Sequence, residues 1–91
     1  VRSYCYPNPI RENTGTIRIE TIGAERVEVN LYDLAGYYIK TWTEDLSHFG
    51  NQITEWAWDV SDVESGVYFA HVAVIGDIDT ETNIIKIAVI H

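Results

Sequence analysis

The chain has 91 residues, a formal net charge of −8 and a pI near 4.5. That length is one domain, and so acidic a surface repels phosphate backbones and anionic lipid, which excludes nucleic acid as a partner and membrane surfaces as a resting place. A single cysteine, Cys5, excludes an internal disulfide, and no stretch is long and apolar enough to insert in a membrane.

The period of the apolar residues is two almost throughout, which is the signature of strands with one face on a core. A short edge strand is predicted around Ser3 to Tyr6, closed by Pro7 and Pro9, because proline donates nothing to a ladder. Ile17 and Ile19 alternate with Arg18 and Glu20 in a strand from Gly15 to Ile22. Gly23-Ala24-Glu25 is a turn, and Val27, Val29 and Leu31 alternate with Glu28 and Asn30 in the next strand. Asp33-Leu34-Ala35-Gly36 is a second turn, where Gly36 can take a positive φ. Tyr37 to Trp42 is rich in β-formers. Thr43 to Asn51 reads as a polar loop, with one helical turn over Thr43 to His48 as the rival. Ile53 to Val60 alternates again and puts Trp56 and Trp58 on one face. Val63 tucks inward in the crossing from Ser61 to Gly66. Val67 to Ile75 is the longest apolar run, Gly76 to Glu81 an acidic turn, and Asn83 to Ile90 the last strand. The sum is an all-β, seven-stranded immunoglobulin-like or fibronectin III-like sandwich.

Two large side chains anchor that sandwich. Val63-Glu64-Ser65-Gly66-Val67-Tyr68 has the layout of a tyrosine corner, in which a Tyr at the start of a late strand bonds back to upstream backbone. Gly66 would allow the close approach, and Trp58 would plug the space between the sheets. Leu31 and Gly36 complete the expected structural set. In the last two strands both alternating faces are apolar, as in strands buried on both sides. The outward residues Val67, Phe69, Ile84, Ala88 and Ile90 are therefore expected to form a docking patch for the parent protein, a second copy or a receptor. The competing expectation is that loops or long side chains of neighbouring strands cover them.

Four segments together resemble a known family. Tyr6-Pro7-Asn8-Pro9 is similar to the Y-P-N-P opening of type IX secretion system C-terminal sorting domains. Leu31-Tyr32-Asp33-Leu34-Ala35-Gly36 resembles their central turn. Trp58-Asp59 followed by Ser65-Gly66-Val67-Tyr68-Phe69 resembles their W-D and S-G-V-Y-F elements, and Lys86 to Ile90 their closing strand. The same pattern is similar to the immunoglobulin-like domain of flagellar hook-capping proteins. The stretches Thr43 to Asn51 and Asp77 to Thr82 lie outside it. The resemblance implies a non-catalytic module at the C-terminus of a large exported bacterial protein, secreted or held at the cell surface after passing the periplasm. It also implies recognition by outer-membrane secretion machinery, with the closing strand and the patch beside it as contacts. A chain that opens at Val1 and contains no Met is expected of a segment of a longer protein.

Other chemistry finds little footing. Cys5 has no catalytic motif around it, and His48, His71 and His91 are scattered without ligand spacing. No cofactor is expected. Asp77, Asp79 and Glu81, or Asp59, Asp62 and Glu64, could offer carboxylates to Ca²⁺, but no twelve-residue calcium loop is present. Tyr37, Tyr38, Trp42 and Trp56 could stack on sugars, so the alternatives are a glycan- or protein-binding accessory module of an extracellular hydrolase, or a structural spacer or assembly domain.

Overall fold

The structure is a computed structural model that describes residues 2–47 and 50–91. Its strands are β1 (Arg2–Tyr6), β2 (Thr14–Ile22), β3 (Arg26–Asp33), β4 (Tyr38–Asp45), β5 (Asn51–Asp59), β6 (Gly66–Ile75) and β7 (Thr80–Val89). They form a three-stranded sheet in the order β1-β2-β5 and a four-stranded sheet in the order β4-β3-β6-β7, antiparallel throughout. No helix occurs among the described residues. The polar stretch after Trp42 differs from expectation: Thr43, Glu44 and Asp45 continue β4, paired with Glu28, Val27 and Arg26. Cross-strand pairing to a neighbour already in place outweighs the weak propensity for a single helical turn.

Alternation sorts the side chains as the period requires. Ile17 and Ile19 of β2, Val27, Val29 and Leu31 of β3, Ala70 and Val72 of β6, and Ile85, Ile87 and Val89 of β7 are buried between the sheets. Trp58 is 3% exposed and meets the Tyr68 ring edge-to-face, centroids 5.4 Å apart. The Tyr68 hydroxyl donates to Glu64 O at 2.5 Å, which closes the tyrosine corner. Gly66 plays a different part from the one expected. It is exposed, its φ is not positive, and an added Cβ would lie 3.9 Å from the Tyr68 ring, an ordinary contact. Gly36 is the turn glycine of positive φ that the Asp33–Gly36 segment leads one to expect, and it stands outside the core. At φ 89° it follows a turn closed by Gly36 N to Asp33 O at 3.0 Å, and the register of β3 and β4 shifts beside it at Leu31/Tyr32.

The chain between β1 and β2 does more than end an edge strand. Both Tyr6-Pro7 and Asn8-Pro9 are cis, and the segment crosses from one sheet to the rim of the other. Asn8 Nδ2 donates to Lys86 O at 2.8 Å, and Asn8 Oδ1 accepts from Ala88 N at 3.1 Å. Ile10 N donates to Ala88 O at 2.7 Å, and Ile10 O accepts from Ile90 N at 2.9 Å, while its side chain is wholly buried. This caps the last half of the exposed edge of β7, which would otherwise offer unpaired backbone. A methyl group at Gly15 would run into Ile10, so the glycine makes room for that plug.

Candidate functional site: the solvent face of the four-stranded sheet

The patch residues come together on one surface. Register pairs Val67 with Ala88, Phe69 with Lys86 and His71 with Ile84 across β6 and β7. Their inward neighbours Tyr68, Ala70, Ile85 and Ile87 are buried, so this set points away from the core. Val67, Phe69 and Ala88 are half-buried, Ile84 is 57% exposed and Ile90 is exposed. The lane continues onto β3 and β4. Tyr32 pairs with Phe69 and Tyr38, and its ring meets His71 edge-on at 4.9 Å and Tyr38 at 6.1 Å. The alternation of β6 already places His71 outward with Phe69, and Tyr32 joins them through the β3–β6 register. Beside this lane the face turns polar, through Thr41 Oγ1 donating to Asn30 Oδ1 at 2.6 Å and Asn30 Nδ2 donating to Glu28.

Around Glu55 the outer face of the three-stranded sheet is polar. Glu55 accepts from the Tyr6 hydroxyl at 2.7 Å and from Arg18 Nη1 at 2.9 Å, and Arg18 Nε reaches Glu20 at 3.1 Å. These donors hold the Glu55 carboxyl below its ordinary range, the Tyr6 bond first, and the same bond raises the Tyr6 phenol. The arrangement ties β1, β2 and β5 together and presents no open acid–base pair.

The suggested sugar platform does not assemble. Trp42 and Trp56 stack on each other at 6.2 Å and 19°, joining the two sheets along the β4 and β5 edges. Trp42 is 9% exposed, with Lys40 Nζ 5.0 Å above its ring. Tyr38 is exposed and stands with Tyr32 on the other side of its sheet. The bulge at Leu31/Tyr32 reverses the parity that would have aligned Tyr38 with Trp42.

The remaining candidates stay apart. Among the described residues no group of three His, Cys, Asp or Glu side chains could hold a metal. Asp59 accepts from Ser61 N at 2.9 Å and Ser61 Oγ at 2.7 Å, which lowers its carboxyl. Cys5 is buried, and burial pushes its thiol up to about 11, the opposite of an activated nucleophile. His71 is exposed, His91 donates from Nε2 to Val63 O at 2.6 Å, and His48 lies outside the described residues.

Among the described residues two sheets face each other, closed at one corner by Tyr68. Comparison with known proteins narrows the class. The family model of the secretion system C-terminal sorting domain matches residues 4–87, and the chain belongs to that family. It is thus a domain of the type IX sorting class, whose proteins are exported to the cell surface or secreted. The match supports the sorting half of the sequence resemblance and not the hook-capping half. Among solved structures the chain is similar to the CARDB domain of a Pyrococcus furiosus protein, solved in complex with di-metal ions. The TM-score is 0.53 at 17% identity, over 97% of this chain and 85% of that one. At that identity the likeness speaks to the fold alone. A search of curated proteins finds no relative that matches the chain.

Proposed function

We propose that this domain is the non-catalytic C-terminal sorting module of a larger exported protein, and that its secretion machinery contacts the outward lane of β6 and β7. The observation that carries the reading is the coincidence of the family match with an apolar lane on that face: Val67, Phe69, Ile84, Ala88 and Ile90, flanked by Tyr32 and His71. Apolar side chains on a solvated sheet face mark an interaction surface when they are contiguous. We further assign the sandwich to the immunoglobulin-like type. The tyrosine corner at Tyr68 supports this, as does the division of seven strands into sheets of three and four.

The test is export of a reporter fused ahead of the domain in a bacterium with a type IX system. The intact domain should carry the reporter to the cell surface or medium. Ile84→Glu and Phe69→Glu should lower export while leaving the fold intact, since both side chains face solvent at least in part. Export that is untouched by both substitutions would remove the lane from the mechanism. Failure of the unaltered domain to direct export would remove the sorting role itself. The glycan alternative lost its main support when Trp42 and Trp56 proved to stack on each other.

A further inference from the structure

The two termini leave the sandwich at opposite poles. β1 begins at Arg2, opposite Glu20, beside the β2–β3 and β6–β7 turns. β7 ends at Val89, opposite Gly66, beside the tyrosine corner. The pole at Arg2 carries exposed isoleucines that no core requires: Ile22 at 74%, Ile53 at 58% and Ile78 at 96% exposed. Two grooves meet there and share Ile22. One, of about 310 Å³, runs between Arg2, Glu20, Ile22 and Ile53. The other, of about 230 Å³, runs between Ile22, Ala24, Val74, Ile78 and Glu81.

We infer that this pole is the seat of the domain that precedes Arg2 in the same polypeptide, and that the contact is made within the chain. The inference rests on the proposed place of the module at the C-terminus of a larger protein. Proximity selects the occupant. Polypeptide ahead of Arg2 is tethered at the rim of the groove, at an effective concentration on the order of millimolar for a short linker. A patch of three isoleucines is too small to hold a free partner, yet it suffices for a tethered one, because interfaces between domains of one chain are modest in area. Asp79 and Glu81 line one groove, while Glu20 in the other is already paired with Arg18 and Arg2 is turned over the Tyr4 ring at 4.7 Å. The seat therefore fits an apolar side chain flanked by Lys or Arg.

Hydroxyl-radical footprinting of the full-length polypeptide, purified before export with this domain attached, tests this, with Ile84 as internal reference on the other face. In the domain alone exposure ranks Ile78 above Ile22 above Ile84. The inference expects that order to reverse in the intact polypeptide, with Ile22 and Ile78 labelled less than Ile84 at every protein concentration. Labelling that keeps the order of exposure would overturn it. Protection that appears only as concentration rises would overturn it in favour of a second copy. Neither outcome touches export of the reporter, so this inference and the sorting role fail separately.

Discussion

Replacing Tyr68 with Phe removes one oxygen and keeps the ring. The oxygen donates to Glu64 O at 2.5 Å, and the tyrosine is 7% exposed, so its hydroxyl has little access to water. A hydrogen bond of this kind contributes about 0.5–1.5 kcal/mol net, and an acceptor left buried and unpaired costs about 1–3 kcal/mol. Glu64 is itself exposed, so its carbonyl can turn to water, and the loss should sit near the low end, about 1 kcal/mol. For a domain of this size that lowers Tm by about 4–8 °C. Tyr68→Leu also removes the edge-to-face contact with Trp58 at 5.4 Å. Such a pair adds about 0.5–1.5 kcal/mol beyond its buried area, and the smaller side chain leaves a void, so the total should reach about 3 kcal/mol. Urea unfolding followed by far-UV circular dichroism reads both, and an unchanged m-value would show that the denatured state is not the source. Phe within about 0.3 kcal/mol of Tyr would refute the corner as a stabilising bond. Leu no worse than Phe would refute the ring contact.

Trp58→Ala should cost roughly 3–5 kcal/mol by the same assay, since the indole fills the space between the sheets. Asn8→Ala removes both side-chain bonds to the β7 edge and should cost about 1–2 kcal/mol, with faster hydrogen exchange confined to residues near Ala88. Glu55 has a folded pKa below its unfolded one, so its contribution is complete above the ordinary glutamate range and is lost as pH falls through the lowered value. Glu55→Gln should therefore flatten part of the acid limb of urea midpoints, leaving the part due to Asp59, whose carboxyl is also lowered. Cys5 should react with a thiol reagent at pH 8 only as fast as the domain opens, because burial holds its thiol near 11. Rapid labelling of the native protein would contradict that burial.

Strand-forming segments were legible because period-two alternation survives any register. Ile17, Val29 and Trp58 point inward whatever strand lies beside them. What pairs with what was not legible, and every miss follows from that. Tyr38 and Trp42 share a parity in sequence, yet the bulge at Leu31/Tyr32 sends them to opposite faces. Thr43 to Asp45 carry no apolar signal of their own and become strand only because Arg26 to Glu28 are there to pair with. Ile10 stands alone between Pro9 and Arg11, so no pattern could mark it as a wholly buried plug. The outward lane was half legible: its β6 and β7 members announce themselves as apolar on both faces. Tyr32 joins only through the β3–β6 register, whereas His71 has the parity of Phe69 within β6 itself.

Several residues that carry the family pattern are consumed by the fold. Asn8 is occupied with the β7 edge, Gly36 with its turn, Trp58 and Tyr68 with each other, and Asp59 with Ser61. The outward members of that pattern, Val67, Phe69, Ala88 and Ile90, are the part left to meet a partner without unfolding the domain. The consumed residues hold those outward ones in place. Asn8 and Ile10 fix the far half of β7, and that half sets Lys86 and Ala88 beside Phe69 and Val67. Substitutions at the consumed residues and in the lane should therefore separate by assay. Asn8→Ala should lower reporter export only in proportion to lost stability and recover when the domain is otherwise stabilised. Ile84→Glu should lower export with the urea midpoint unchanged. If Asn8→Ala abolished export in a domain of full stability, the Y-P-N-P segment would itself be what the machinery reads, and the lane would lose its claim.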